Sequence, residues 1–117
     1  MAHIDGQIGK TAMSELGACA LQGVALYFQA LAEPTRLRII EVLREGPMRT
    51  KDLAALFGTS SANVSRHLAV LERQGIVARR PAAGSTYYGL PDETAGELMN
   101  MARELRRLAL RQAGDSR

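Results

Sequence analysis

The stretch that decides the fold runs from Thr50 to Gln74 and reads TKDLAALFGTSSANVSRHLAVLERQ. Leu53, Ala54, Leu56 and Phe57 give a short helix with Thr50 as its N-cap, and Gly58 stops it. Ser60 then caps a second helix along which Val64, Leu68 and Leu71 recur on one side until Gln74-Gly75 closes it. Two helices joined by so short a turn must cross steeply, which requires a small residue at the crossing and a turn residue that tolerates positive φ. Ala54 and Gly58 supply both. Away from the Val64 stripe the second helix carries Ser61, Ala62, Ser65 and Arg66, with Asn63 nearby and Ser60 at its start. An ordinary helical hairpin with a solvated polar face shows the same pattern, so the pair alone does not settle a role.

Working outward, the period changes from helical to alternating after Gly75. Ile76–Arg80 and Thr86–Leu90 read as two short strands around Pro81-Ala82-Ala83-Gly84-Ser85, a loop too long for a tight two-residue turn. Arg79 and Arg80 fall on the first strand, with Ser85, Thr86 and Tyr87 at or beside the tip. Upstream, Pro34 suits the first turn of a helix whose Leu37, Ile40, Val42 and Leu43 form a buried face and which Gly46-Pro47 ends. Before it, from about Ser14 to Ala32, Leu21, Val24, Phe28 and Leu31 form one helical stripe, with Ser14 as N-cap and Gly17 and Gly23 as weak points. Asp92 caps a last helix whose Leu98, Met101, Leu105 and Leu108 follow a heptad-like stripe. The order is four helices, a hairpin and a helix, a mainly α winged helix-turn-helix with a small β-hairpin. Residues 14–111 form its single domain, between a mobile tail at 1–13, to which no structure is assigned, and a C-terminal tail at 112–117.

The bulk properties suit this reading. At 117 residues with 46% hydrophobic residues there is room for one core and no second domain. With Trp absent and only three Tyr and two Phe, that core is built from aliphatic side chains. The longest apolar run, Val24 to Phe28, falls far short of the roughly 18 residues a membrane span needs, and no secretory signal is present, which predicts a cytoplasmic protein. The single Cys19 has no intramolecular disulfide partner. Net charge is +3, unevenly spread: from Pro34 to Pro91 nine Lys and Arg stand against four acidic residues, whereas the ends are slightly acidic. A positive middle suits a surface that meets phosphate. A helix-turn-helix followed directly by a basic hairpin can lay both on one duplex, with short polar groups in the major groove and arginines on phosphate or in the narrow groove.

Several motifs, in order, resemble the ArsR/SmtB family of bacterial winged-helix repressors. They are Leu31-Ala32-Glu33-Pro34-Thr35-Arg36-Leu37-Arg38-Ile39-Ile40, then Val64-Ser65-Arg66-His67-Leu68-Ala69-Val70-Leu71, Gly75-Ile76-Val77 and Tyr87-Tyr88-Gly89-Leu90. The resemblance covers about Leu21 to Leu110. It implies a sequence-specific transcriptional regulator, a homodimeric repressor that an effector, here unidentified, releases from an inverted-repeat operator in double-stranded DNA. It places Ser65, Arg66 and His67 among the recognition-helix contacts and Arg79 to Tyr87 in the wing. The dimer would form through the first and last helices, so through Leu21, Val24, Phe28, Leu98, Met101, Leu105 and Leu108.

The chain departs from the family's metal-sensing members. No Cys lies around Met48 to Leu53, the Asp92 to Arg111 helix has no His, and His3 and His67 are badly placed to cooperate, so neither a metal site nor a cofactor is expected. Cys19 is either a small buried apolar residue or, on the expected dimer helix, a thiol whose oxidation would disturb the interface. An enzyme is not expected, for no nucleophile, base and orienter are grouped and Glu41/Glu45 and Glu93/Glu97 read as solvated charge. The remaining rival is a winged-helix module for protein or RNA contact.

Overall fold

The computed structural model describes residues 2–115, with side chains described for residues 17–114. Seven elements follow in order: α1 (Ala2–Leu31), α2 (Pro34–Leu43), α3 (Thr50–Phe57), α4 (Ser61–Arg73), β1 (Ala78–Ala82), β2 (Ser85–Gly89) and α5 (Thr94–Asp115). The winged helix-turn-helix read from the sequence is the fold observed. The backbone of α1 is helical from Ala2, well before the Ser14 at which the sequence placed its start, and the side chains of Ser14 and His3 lie outside the described residues. Gly17, one of the two weak points, breaks the helix with φ 58 and ψ 155.

Local chemistry explains most boundaries. Pro34 opens α2, where its missing N–H costs nothing, and the Glu33 carboxylate accepts from the Arg36 N–H at 2.9 Å as the cap. Ser60 Oγ accepts from the Asn63 N–H at 3.1 Å and starts α4 as expected. Gly58 ends α3 in the left-handed region, φ 65 and ψ 38, and the next N–H, of Thr59, reaches back to the Ala54 carbonyl at 3.0 Å. Arg49, not Thr50, is the N-cap of α3. Hydroxyls cap well and point to Thr50, but Arg49 has extended backbone and its side chain bonds Asp52 at 2.9 Å, so the helix gains one residue.

The core lies where α2, α3 and α4 meet. Ile39, Ile40, Leu53, Val64, Leu68 and Leu71 are buried there, joined by Ile76 and Val77 ahead of the hairpin, Ala30 and Leu31 from α1, and Ala95 and Met99 from α5. Burying each large aliphatic side chain contributes about 1.5–3 kcal/mol. Ala54 is buried at the α3–α4 crossing, the place its size predicted.

The hairpin differs from expectation. The strands pair Ala78 with Gly89 through Ala82 with Ser85, leaving only Ala83-Gly84 as the turn, with φ 50 and 77. Positive φ at both central residues matches the right-handed twist of the flanking strands, so a tight two-residue turn does close this hairpin. Pro81, assigned above to the loop, lies instead within β1, for each strand of a two-stranded ribbon is an edge, where proline is tolerated. Met48 adds a bridge to the ribbon, its N–H donating to the Tyr88 carbonyl at 2.9 Å and its carbonyl accepting the Tyr88 N–H at 2.8 Å.

Asp92 Oδ1 accepts the Thr94 N–H at 2.9 Å, but Glu93, whose carbonyl takes the first helical bond from the Glu97 N–H at 2.9 Å, holds the cap position, so α5 starts one residue later than an Asp92 cap would set it. From Asn100 to Gly114 every residue of α5 is exposed. The radius of gyration, 18.9 Å, exceeds the roughly 13 Å of a compact chain this long because α1 and α5 run beyond the core.

Candidate nucleic-acid interface

The inward face of α4 is Val64, His67, Leu68 and Leu71, and this burial turns Ser61, Ala62, Ser65 and Arg66 outward into solvent. Three of these are short and one is a long donor, so the face presents hydrogen-bonding groups without bulk. Asn63 is half-buried; its Nδ2 donates to Thr59 Oγ1 at 3.2 Å and its Oδ1 accepts from Arg66. That pair holds the Arg66 guanidinium along the helix. Ser60 and the free N–H groups behind it mark the positive end of the α4 dipole, suited to a phosphate.

His67 stands apart from its neighbours. Expected beside Ser65 and Arg66 on the exposed face, it is instead 8% exposed and packed inward. Its Nδ1 lies 3.2 Å from Arg36 Nη1 and 3.7 Å from Glu33 Oε2. Burial pushes the imidazole pKa down; the Glu33 charge opposes this, while Arg36 and Arg66 reinforce it. Burial alone would raise the Glu33 carboxyl, but the Arg36 N–H and the charges of His67 and Arg36 outweigh it and hold the group below the usual range. The same Arg36 donates from Nε to the Ala30 carbonyl at 2.6 Å and from Nη2 to the Gln29 carbonyl at 3.2 Å, satisfying carbonyls at the end of α1. In the sequence Arg36 is one residue of the first family motif, and nothing local shows that its fork reaches α4.

The wing arginines are tethered. Arg79 Nε donates to the Glu72 carboxylate at 2.9 and 3.2 Å, which raises its already high pKa, and its guanidinium lies 5.8 Å from the Tyr88 ring. This ties the wing to the end of α4. Arg80 donates from Nη2 to the Leu90 carbonyl at 3.1 Å, beside α5. Thr86 is exposed, Ser85 half-buried, and half-buried Tyr87 carries the Arg49 guanidinium 6.0 Å from its ring. The wing therefore shares a side with α4 through Arg79, while its second arginine faces its base.

The apolar stripes on the projecting helices are bare. Leu21, Val24 and Phe28 are 50–53% exposed, Met101 and Leu105 just over 60%, and Leu108 42%; Leu98 is half-buried against the core. Cys19 is exposed. Among the described residues no three His, Cys, Asp or Glu are grouped as a metal site, and no helix is long and apolar enough to cross a membrane.

The sequence model of the bacterial regulatory proteins of the arsR family matches residues 33–79, from the α2 cap to the first wing strand. The HTH-type transcriptional regulator NmtR of Mycobacterium tuberculosis is 39% identical over 87 residues, which cover 74% of this chain and 72% of that protein. The homodimeric winged helix-turn-helix DNA-binding domain of a possible ArsR-family regulator of Mycobacterium bovis superposes with a TM-score of 0.73 at 26% identity, over 81% of this chain and 88% of that one. The crystal structure of Rv0081 of Mycobacterium tuberculosis gives 0.69 at 34% identity, over 75% and 89%. With its helix-turn-helix, its wing and these relatives all agreeing, the chain belongs to the arsR family of bacterial transcriptional regulators.

Proposed function

We infer that the chain is a homodimeric repressor that reads double-stranded DNA with α4 and steadies itself with the wing. The observation that carries this reading is the outward face of α4, where Ser61, Ala62, Ser65 and Arg66 are all exposed. Ser61 and Arg66 read base edges, Ser60 and the α4 N-terminus meet phosphate, and Thr86 at the wing tip meets the flanking backbone. Arg79 orients the wing rather than reading sequence, since Glu72 already occupies it. His67 belongs to the support of α4 and not to its contacts.

Two copies assemble through Leu21, Val24 and Phe28 of one protomer and Met101, Leu105 and Leu108 of the other. The half-exposure of all six and the homodimeric state of the Mycobacterium bovis domain support this. A two-fold axis then sets two copies of α4 in successive major grooves, about 34–36 Å or 10 base pairs apart, so the operator is an inverted repeat. Binding sites selected from random duplexes test this. Inserting five base pairs between the half-sites should abolish tight binding; indifference to the insertion, or equal binding to single-stranded RNA, would sink the reading.

A further inference from the structure

A groove of about 600 Å³ lies between α2, α3 and α5, and no residue of α4 or the wing lines it. Its walls are apolar: Leu37 and Val42 from α2, Leu56 and Phe57 from α3, Met99 and Ala102 from α5. Leu56 is 58% exposed there, although nothing in the helix-turn-helix crossing needs a leucine facing water. Three guanidiniums and one carboxylate stand at the rim. Arg103 is paired with Glu41. Among the described residues Arg38, which lies over the Phe57 ring at 4.4 Å, has no carboxylate partner, and Arg106 has no hydrogen bond or ion pair. The rim thus keeps two uncompensated positive charges above an apolar floor.

A second copy seated as proposed above does not cover this groove. At about 100° per residue, Met99, Arg103 and Arg106 face nearly opposite the Met101, Leu105 and Leu108 stripe on α5. A partner seated on that stripe approaches from the far side and leaves the groove open. The volume lies in the range of small-molecule sites, the walls match an apolar body, and a planar fork such as Arg106 matches a carboxylate.

We propose that this groove binds a small apolar carboxylate of about the size of decanoate, and that the helix-turn-helix reads its occupancy. Leu56 and Phe57 are the last residues of α3, directly before the Gly58 turn that aims α4, so an occupant bears on the element that positions α4. This second clause rests on the DNA-binding reading; the binding site itself does not.

The test is calorimetric titration of the full chain with decanoate, with decanamide as the uncharged control. One site per chain is expected. Replacing both rim arginines, Arg38→Gln with Arg106→Gln, should weaken decanoate at least tenfold and leave decanamide unchanged, while Leu56→Glu should abolish both. Saturating decanoate should shift the duplex dissociation constant at least fivefold in the parent and not in Leu56→Glu. No saturable binding, binding indifferent to these changes, or conversion of the dimer to monomer by Leu56→Glu would overturn the proposal, the last by showing that a second copy fills the groove. If decanoate binds but no duplex does, the DNA reading fails alone; if duplex binds but decanoate does not, only this inference fails.

Discussion

Arg36 Nη1 lies 3.2 Å from His67 Nδ1, so one guanidinium joins the last carbonyls of α1 to the buried face of the recognition helix. In that contact the arginine donates and the neutral imidazole accepts. Protonation of Nδ1 removes the acceptor and sets two cations side by side.

The first prediction concerns pH. His67 has its pKa lowered in the folded state, so the unfolded chain binds the proton more readily. Its contribution to stability is complete above the unfolded value of about 6.5 and is lost as pH falls from there through the lower folded value. Glu33, also lowered, adds a separate loss only at more acidic pH, below its ordinary value of 4.5. Urea midpoints between pH 7 and 5 should fall for the parent and stay level for His67→Gln. Parallel curves would refute the assignment.

Arg36→Ala should cost about 1–3 kcal/mol, because the Ala30 and Gln29 carbonyls and the His67 acceptor lose one shared donor. Arg36→Lys should recover little, since an ammonium cannot reproduce the fork. Denaturant unfolding of both variants decides it.

The pairing of Arg79 with Glu72 predicts an unusual gain. Glu72→Gln releases the guanidinium toward the duplex and removes a negative charge beside it. Affinity for all duplexes should rise together, with the salt dependence steeper by about one unit of slope. Arg66→Ala or Ser61→Ala should instead relax preference at individual base pairs, by about 1–3 kcal/mol where a bidentate contact is lost. Binding to a panel of single-base operator variants across a salt series separates the two patterns.

Ala83 holds φ 50 in the hairpin turn, a conformation that disfavours a residue with a Cβ. Ala83→Asn, giving the preferred Asn-Gly pair with Gly84, should stabilise the fold by about 0.5–1 kcal/mol, and Ala83→Val should destabilise it by at least as much. A lower urea midpoint for the Asn variant would contradict the turn geometry.

How much was legible follows from how local each signal is. Pro34, Gly58 and Ser60 act on their own backbone, and the structure places a helix start or stop at each. Ala83-Gly84 was obscured by Pro81, whose effect depends on whether its strand has a second neighbour. The burial of His67 was legible: three residues after Val64 and four before Leu71, it shares their stripe, whereas the family motif sets it beside Arg66. The tethers of Arg79 and Arg80 depend on Glu72 and the Leu90 carbonyl, which only the folded chain brings near. The Met48 bridge to Tyr88 is long-range in the same way.

Helices that outrun their core make assembly part of folding. With Val24, Phe28 and Leu105 each more than half exposed on the single chain, the dimer proposed above would hold a stability that the monomer lacks. The melting temperature should therefore climb with protein concentration, and Leu105→Glu should flatten that climb as sedimentation shows the dimer split. In a cell the fraction able to occupy an operator then depends on how many copies are made, so the level of expression becomes a control input that requires no effector.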